Sequence, residues 1–152
     1  MKTLEDIEKF INSELTSKIN SSKINHGQIY LNIDETNILD VILFLKTNKN
    51  TSFKQLIDIT AVDYPENDKR FMLVYLLLSH ENNQRIIISF YLNEYDIPTS
   101  LTSIFPSANW MEREVFDMYG IEFKDHPDLR RILTDYEFEG YPLRKDFPIT
   151  GH

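Results

Sequence analysis

The chain has 152 residues, 41% hydrophobic and 26% charged, which is the make-up of about one globular domain with its own core rather than of a disordered segment. It contains no cysteine, which excludes disulfides, thiolate-held metals, iron–sulfur ligation and cysteine nucleophiles within the chain. Lys and Arg total 16 against 24 Asp and Glu, so the net charge of −8 repels phosphate backbones and argues against a nucleic-acid partner.

Met1-Lys2-Thr3-Leu4-Glu5-Asp6 carries acids early, unlike a signal or transit peptide. The longest apolar stretch, Phe71 to Leu78, is far short of the ~20 residues that span a membrane, so membrane association is expected only through partners. Leu4, Ile7, Ile11 and Leu15 recur at helical spacing and predict an amphipathic helix over 3–18. Residues 20–27 read as a polar break. Ile29, Leu31 and Ile33 alternate with polar residues and predict a half-buried strand. Asp34 is placed to cap a second helix built on Ile38, Val41, Ile42 and Leu45, followed by a polar loop over 47–51.

Leu56, Ile57, Ile59 and Val62 predict a further strand, closed by a turn over 64–68. Residues 71–79 and 85–92 are rich in strand formers and flank the polar turn Glu81-Asn82-Asn83-Gln84, which predicts a hairpin. The order helix, strand, helix, three strands points to an α+β domain, residues 1–120, with an antiparallel or mixed β-sheet covered by helices. Residues 121–152 have another character. From Gly120 onward lie three of the six prolines and three of the four glycines, with no period of 2 or 3.6. Ile121, Phe123, Leu129, Tyr136, Tyr141 and Leu143 are nevertheless too apolar for a solvated tail. The segment reads either as an extended arm docked on a partner or as a strap over its own sheet.

Asn109-Trp110-Met111-Glu112 fits a capping box opening a short helix that Gly120 ends. At about 100° per residue, Met111, Val115, Phe116, Met118 and Tyr119 share an apolar arc, with Arg113, Glu114 and Asp117 opposite. Glu112 falls inside the apolar arc, where a carboxylate must cap or pair, for instance with Arg130 or Arg131. Arg113 and Asp117 are i,i+4 neighbours, either a surface pair or a charged pair facing a neighbouring protein. Catalysis by this chain would have to use Glu112, Glu114, Asp117 and His126, but Glu112 and Glu114 point to different sides of a helix. His26, His80, His126 and His152 show no ligand spacing, and no glycine-rich phosphate loop or nucleophile elbow occurs. His126-Pro127-Asp128 reads as a hydrogen-bonded turn.

The run from Glu112 to Ile121, followed by His126-Pro127-Asp128-Leu129-Arg130-Arg131-Ile132-Leu133 and then residues 134–148, resembles the signature of the 30 kDa-type subunit of respiratory complex I, NADH–quinone oxidoreductase. The likeness is dense from Trp110 to Pro148. The resemblance implies a peripheral-arm subunit that binds no cofactor or metal and carries no active site of its own, with FMN and iron–sulfur clusters held by neighbours. It implies other complex I subunits as partners, chiefly the 49 kDa-type subunit that shapes the quinone pocket. The whole assembly would pass electrons from NADH to quinone and couple this to proton pumping. Glu112, Arg113, Glu114, Asp117, Arg130, Arg131, Asp135, Arg144 and Asp146 are then candidates for structural or subunit-interface ion pairs.

Two features depart from that pattern. Tyr141 stands before Pro142 where the family commonly has His, and the family usually continues beyond the Asp-Phe-Pro segment with a further arm, some of whose docking contacts are then expected to be lost or supplied by another protein. The heavy use of Ile, Asn and Lys points to an AT-rich genome, as in many organelles and reduced bacteria. For a chain of this origin the resemblance implies a peripheral place on the matrix side of the mitochondrial inner membrane, with the cytoplasmic face of a bacterial plasma membrane as the alternative. A related hydrogenase-type complex using an equivalent subunit is the alternative assembly.

Overall fold

A computed structural model describes residues 2–131 and 140–146. Its elements are α1 (Leu4–Glu14), β1 (Ser21–Asn25), β2 (Gln28–Asn32), α2 (Ile38–Thr47), β3 (Gln55–Asp63), β4 (Phe71–Ser79), β5 (Gln84–Leu92) and α3 (Ala108–Tyr119). The five strands form one sheet in the order β1-β2-β5-β4-β3. β1 pairs antiparallel with β2, and β2 parallel with β5, so the sheet is mixed and the fold is α+β.

The chain divides into two compact units, Met1–Asp58 with Val74–Phe90, and Ile59–Leu73 with Tyr91–His152. In the first unit, α1 starts where Thr3 accepts the Asp6 N–H on its hydroxyl, and it buries Ile7 and Ile11. The helix is shorter than the periodicity predicts, because a separate 3-10 turn occupies Thr16–Lys18. α2 buries Ile38, Val41, Ile42 and Leu45, the four positions read from spacing, and Phe44 stacks on Phe10 of α1 with ring centroids 6.0 Å apart. Asp34 caps nothing with its side chain. A 3-10 turn at Glu35–Asn37 separates it from α2, and its carboxylate accepts from Asn20 instead.

β1 occupies the stretch expected to be a polar break. Its residues are exposed or half-exposed throughout, so no hydrophobic alternation marks it. The β1–β2 hairpin closes through His26 and Gly27, both at positive φ, the backbone a two-residue type I′ turn requires. The predicted hairpin of β4 and β5 is present. β4 alternates strictly between buried and half-buried positions from Phe71 to Ser79.

Candidate functional site

The second unit carries the charged signature. α3 runs from Ala108 to Tyr119 and ends at Gly120, whose φ of +78° lets its N–H reach the Phe116 carbonyl. The expected capping box does not form. The helix begins one residue before Asn109, no side chain caps it, and Glu112 turns inward. Glu112 is fully buried and accepts the Ser100 hydroxyl at 2.6 Å on Oε1 and the Leu101 N–H at 2.8 Å on Oε2. Its expected arginine partners bond elsewhere. Burial, only partly offset by those two donors, pushes its pKa up to about 7.

His126 lies beside it, its Nε2 3.9 Å from Glu112 Oε1. The imidazole accepts the Asp128 N–H on Nδ1 at 3.0 Å, which places the ring hydrogen on Nε2, 3.0 Å from the Asn109 carbonyl oxygen. This is the turn expected of His126-Pro127-Asp128.

Asp117 is also fully buried, contrary to its place on the polar side of the helical wheel. It bonds Arg131 rather than Arg113. Arg131 further donates to the Asp117 carbonyl at 2.9 Å and to the Gly140 carbonyl at 2.8 Å. Arg113 donates to the Arg130 carbonyl and lies over the Trp110 ring at 5.6 Å. Glu114 accepts the Trp110 indole N–H at 2.8 Å, and Arg130 pairs with Asp128 on an exposed edge. Asp135 lies outside the described residues.

A second cluster gathers groups that spacing alone does not single out. Arg70 clamps Asp63 with two hydrogen bonds, Nε to Oδ1 at 2.7 Å and Nη2 to Oδ2 at 2.9 Å, and the same Nη2 reaches Asp146 at 2.9 Å. Glu94 accepts from Arg144 at 3.1 Å, and Arg144 also donates to the Tyr119 carbonyl. The Lys145 N–H donates to Asp63 at 2.8 Å. The Arg70 guanidinium holds the carboxyls of both Asp63 and Asp146 below the usual carboxylate range. A sequence signal for Asp63 exists: in the alternation Ile59, Ala61, Asp63 it occupies the inward phase of β3. Arg70 and Glu94 have no comparable local signal.

Cationic and aromatic groups alternate through this cluster. Arg70 and Arg144 lie over Phe71 at 5.2 and 5.1 Å, while Arg144 and Arg131 lie over Tyr141 at 4.9 and 5.0 Å. The Tyr141 ring thus contacts two guanidinium groups. A Cβ at Gly120 would come within 2.6 Å of that ring. Gly120→Ala is therefore expected to cost at least the ~1–2 kcal/mol of left-handed backbone, and to weaken the Tyr141 contacts as well. Urea unfolding of the two chains checks this, and a loss below ~0.5 kcal/mol would show that the ring does not pack there.

The four residues a catalytic reading would need are not brought together at an open site. Glu112 and His126 are wholly enclosed, Asp117 is held by Arg131, and Glu114 bonds the half-exposed Trp110. An open hollow of about 290 Å³ is lined by Tyr64, Pro65, Glu66, Asn67 and Lys145, none of them in that set. Among the described residues no group of His, Asp and Glu has the arrangement of a metal site, and no helix is long and apolar enough to cross a membrane.

A mixed five-stranded sheet in an α+β fold is thus followed by a helix whose buried acids, Glu112 and Asp117, are bonded by groups from the segments on either side of it. Residues 31–152 match the family of the respiratory-chain NADH dehydrogenase 30 kDa subunit, and the chain belongs to that family. It is 46% identical over 151 residues to the C-type subunit of the NADH-quinone oxidoreductase of Hyphomonas neptunium, covering 99% of this chain and 75% of that relative. It is 54% identical over 129 residues to the equivalent protein of Ruegeria pomeroyi, covering 85% of this chain and 64% of the relative. Among solved structures it resembles a chain of the membrane-bound sulfane sulfur reductase, an archaeal respiratory membrane complex, with a TM-score of 0.82 at 26% identity over 95% of this chain and 85% of the other.

Proposed function

We propose that this chain is a non-catalytic peripheral-arm subunit of a proton-pumping NADH–quinone oxidoreductase, and that it packs chiefly against the subunit that shapes the quinone pocket. On this reading it holds no cofactor, while FMN and iron–sulfur clusters sit on neighbouring subunits. The observation that carries the proposal is how the signature charges are used. Asp117, Arg131, Arg144 and Asp146 fix the segments 121–131 and 140–146 onto the second unit itself. Tyr95, Ile97, Trp110 and Leu143 remain half or more exposed, a set of apolar groups suited to a protein neighbour.

The named relatives are bacterial, which supports the cytoplasmic face of a bacterial plasma membrane over the mitochondrial location that composition favours. The likeness to the archaeal complex supports a second reading, an equivalent subunit of a related membrane assembly, but at 26% identity against 46% and 54% it ranks behind the first.

Arg131 is a poor probe of docking, since reversing its charge would set a carboxylate against buried Asp117 and damage the chain itself. Leu143 is 52% exposed and serves better. Leu143→Glu is expected to change the stability of the isolated chain by less than ~0.5 kcal/mol while clearly lowering incorporation into the membrane complex on native gels. Full incorporation of that variant would remove the 140–146 segment from the docking surface.

A further inference from the structure

The enclosed carboxyl of Glu112 lies at the inner end of a file of hydroxyl groups. Its partner Ser100 is itself buried, and Ser100 Oγ lies 2.9 Å from the hydroxyl of Thr102, which is partly exposed. Ser100 Oγ also accepts the Thr102 N–H at 3.1 Å. A serine hydroxyl offers one donor and two acceptor positions. With Glu112 ionised, Thr102 O–H donates to Ser100 and Ser100 O–H donates to Glu112. With Glu112 protonated, the carboxyl O–H donates to Ser100, and Ser100 O–H turns to donate to Thr102. The Thr102 N–H keeps its acceptor in both cases. Each state satisfies the Ser100 hydroxyl and the Glu112 carboxyl with the heavy atoms where they stand, the Thr102 O–H turning to solvent in the second.

We propose that Glu112 is a one-proton binding site that exchanges with water through the hydroxyls of Ser100 and Thr102. Uptake is a relay in which Thr102 Oγ takes a proton from solvent and passes its own to Ser100. Ser100 in turn passes its proton to Glu112 Oε1. One proton enters, one carboxylate charge is removed, and the donor directions of the two hydroxyls reverse. Release runs the same path backwards.

The surroundings leave the site to itself. The 100–102 loop contributes hydroxyls and a backbone N–H and no charge. From the 121–131 segment the titratable group facing Glu112 is His126, whose ring is tied to the Asp128 N–H and the Asn109 carbonyl. On α3 itself the nearest buried acid, Asp117, is engaged by Arg131. Desolvation therefore dominates, and the proton is held up to about neutral pH.

The test is carboxyl-carbon NMR of the full chain labelled at glutamate, followed from about pH 5 to about pH 9. The Glu112 resonance is assigned as the one lost in Glu112→Gln. It is expected to titrate with a midpoint near 7. Thr102→Val removes a donor to Ser100 when Glu112 is ionised and the acceptor of Ser100 when Glu112 is protonated. The second loss strands a buried O–H, whereas in the first Ser100 still accepts the backbone N–H of residue 102. The substitution should lower that midpoint by roughly one pH unit, the size of one buried hydrogen bond, and broaden the resonance as exchange slows. A Glu112 that exchanges its proton by another path would keep the parent's line width in Thr102→Val. A Glu112 resonance already ionised at the acid end, or a Thr102→Val midpoint equal to that of the parent, would overturn the proposal.

Discussion

Asp63→Ala should destabilise the isolated chain by about 3–5 kcal/mol, the loss seen when one member of a buried ion pair is removed and the other is left without its counter-charge. Asp63 is 2% exposed, and its two oxygens accept two guanidinium N–H groups and the Lys145 backbone N–H. Without it, Arg70 stays inside at 8% exposure and keeps Asp146 as its nearest acid, with Glu94 at 3.7 Å. Asp146→Ala gives the internal comparison. It touches the same guanidinium, but its side chain is 63% exposed, so its removal should cost under ~1 kcal/mol. Replacing both members of the inner pair, Asp63→Leu with Arg70→Met, should recover much of the single-variant loss, because no charge is then stranded. Urea midpoints of the four chains decide it. An Asp63→Ala loss no larger than that of Asp146→Ala would mean that the inner pair is not desolvated.

The second large effect is a dependence of stability on pH that runs opposite to the common carboxylate case. Glu112 binds its proton up to about pH 7 in the folded chain, against an ordinary value of 4.5. Between those values the folded state holds a proton that the unfolded state has released, so stability falls as pH rises through this window. At about 1.4 kcal/mol per pH unit the loss attributable to Glu112 comes to about 3 kcal/mol by pH 8. Asp63 acts with the other sign. Its lowered pKa stabilises the fold above the usual carboxylate range, and this contribution is lost as pH falls through that range. Together they place the stability maximum in mildly acidic solution.

Glu112→Gln should abolish the neutral limb. Its amide can donate to Ser100 and accept from Leu101, as the protonated acid does, so the variant should match the parent near pH 5 and exceed it by about 3 kcal/mol near pH 8. Parallel stability curves for the two chains across that range would show that the buried acid is ionised at no cost.

The elements legible in the sequence are those whose burial follows a local period. α2 and the β4–β5 hairpin fall where their apolar spacing puts them. β1 escapes a periodicity reading because an edge strand of sequence Ser-Ser-Lys-Ile-Asn pairs through its backbone and buries almost nothing. The site is half legible. A carboxylate inside the apolar arc of α3 marks Glu112 as in need of partners, but Ser100 and Leu101 come from a loop 12 and 11 residues away, and no spacing rule names them. Asp117 lies on the polar side of an isolated helix and is buried because Arg131, 14 residues on, closes over it. A helical wheel ranks faces by composition and cannot include a strap laid down later by the chain.

Membership of a complex, rather than chemistry within the chain, is the central claim. The most direct test is to tag the chain in its native host, purify it gently from solubilised membranes and identify what copurifies by mass spectrometry. The expected result is a flavin-bearing NADH-binding subunit together with iron–sulfur and quinone-pocket subunits in fixed ratio to the tagged chain. Recovery of the chain alone, or with a hydrogenase large subunit in place of the NADH-binding one, would contradict it.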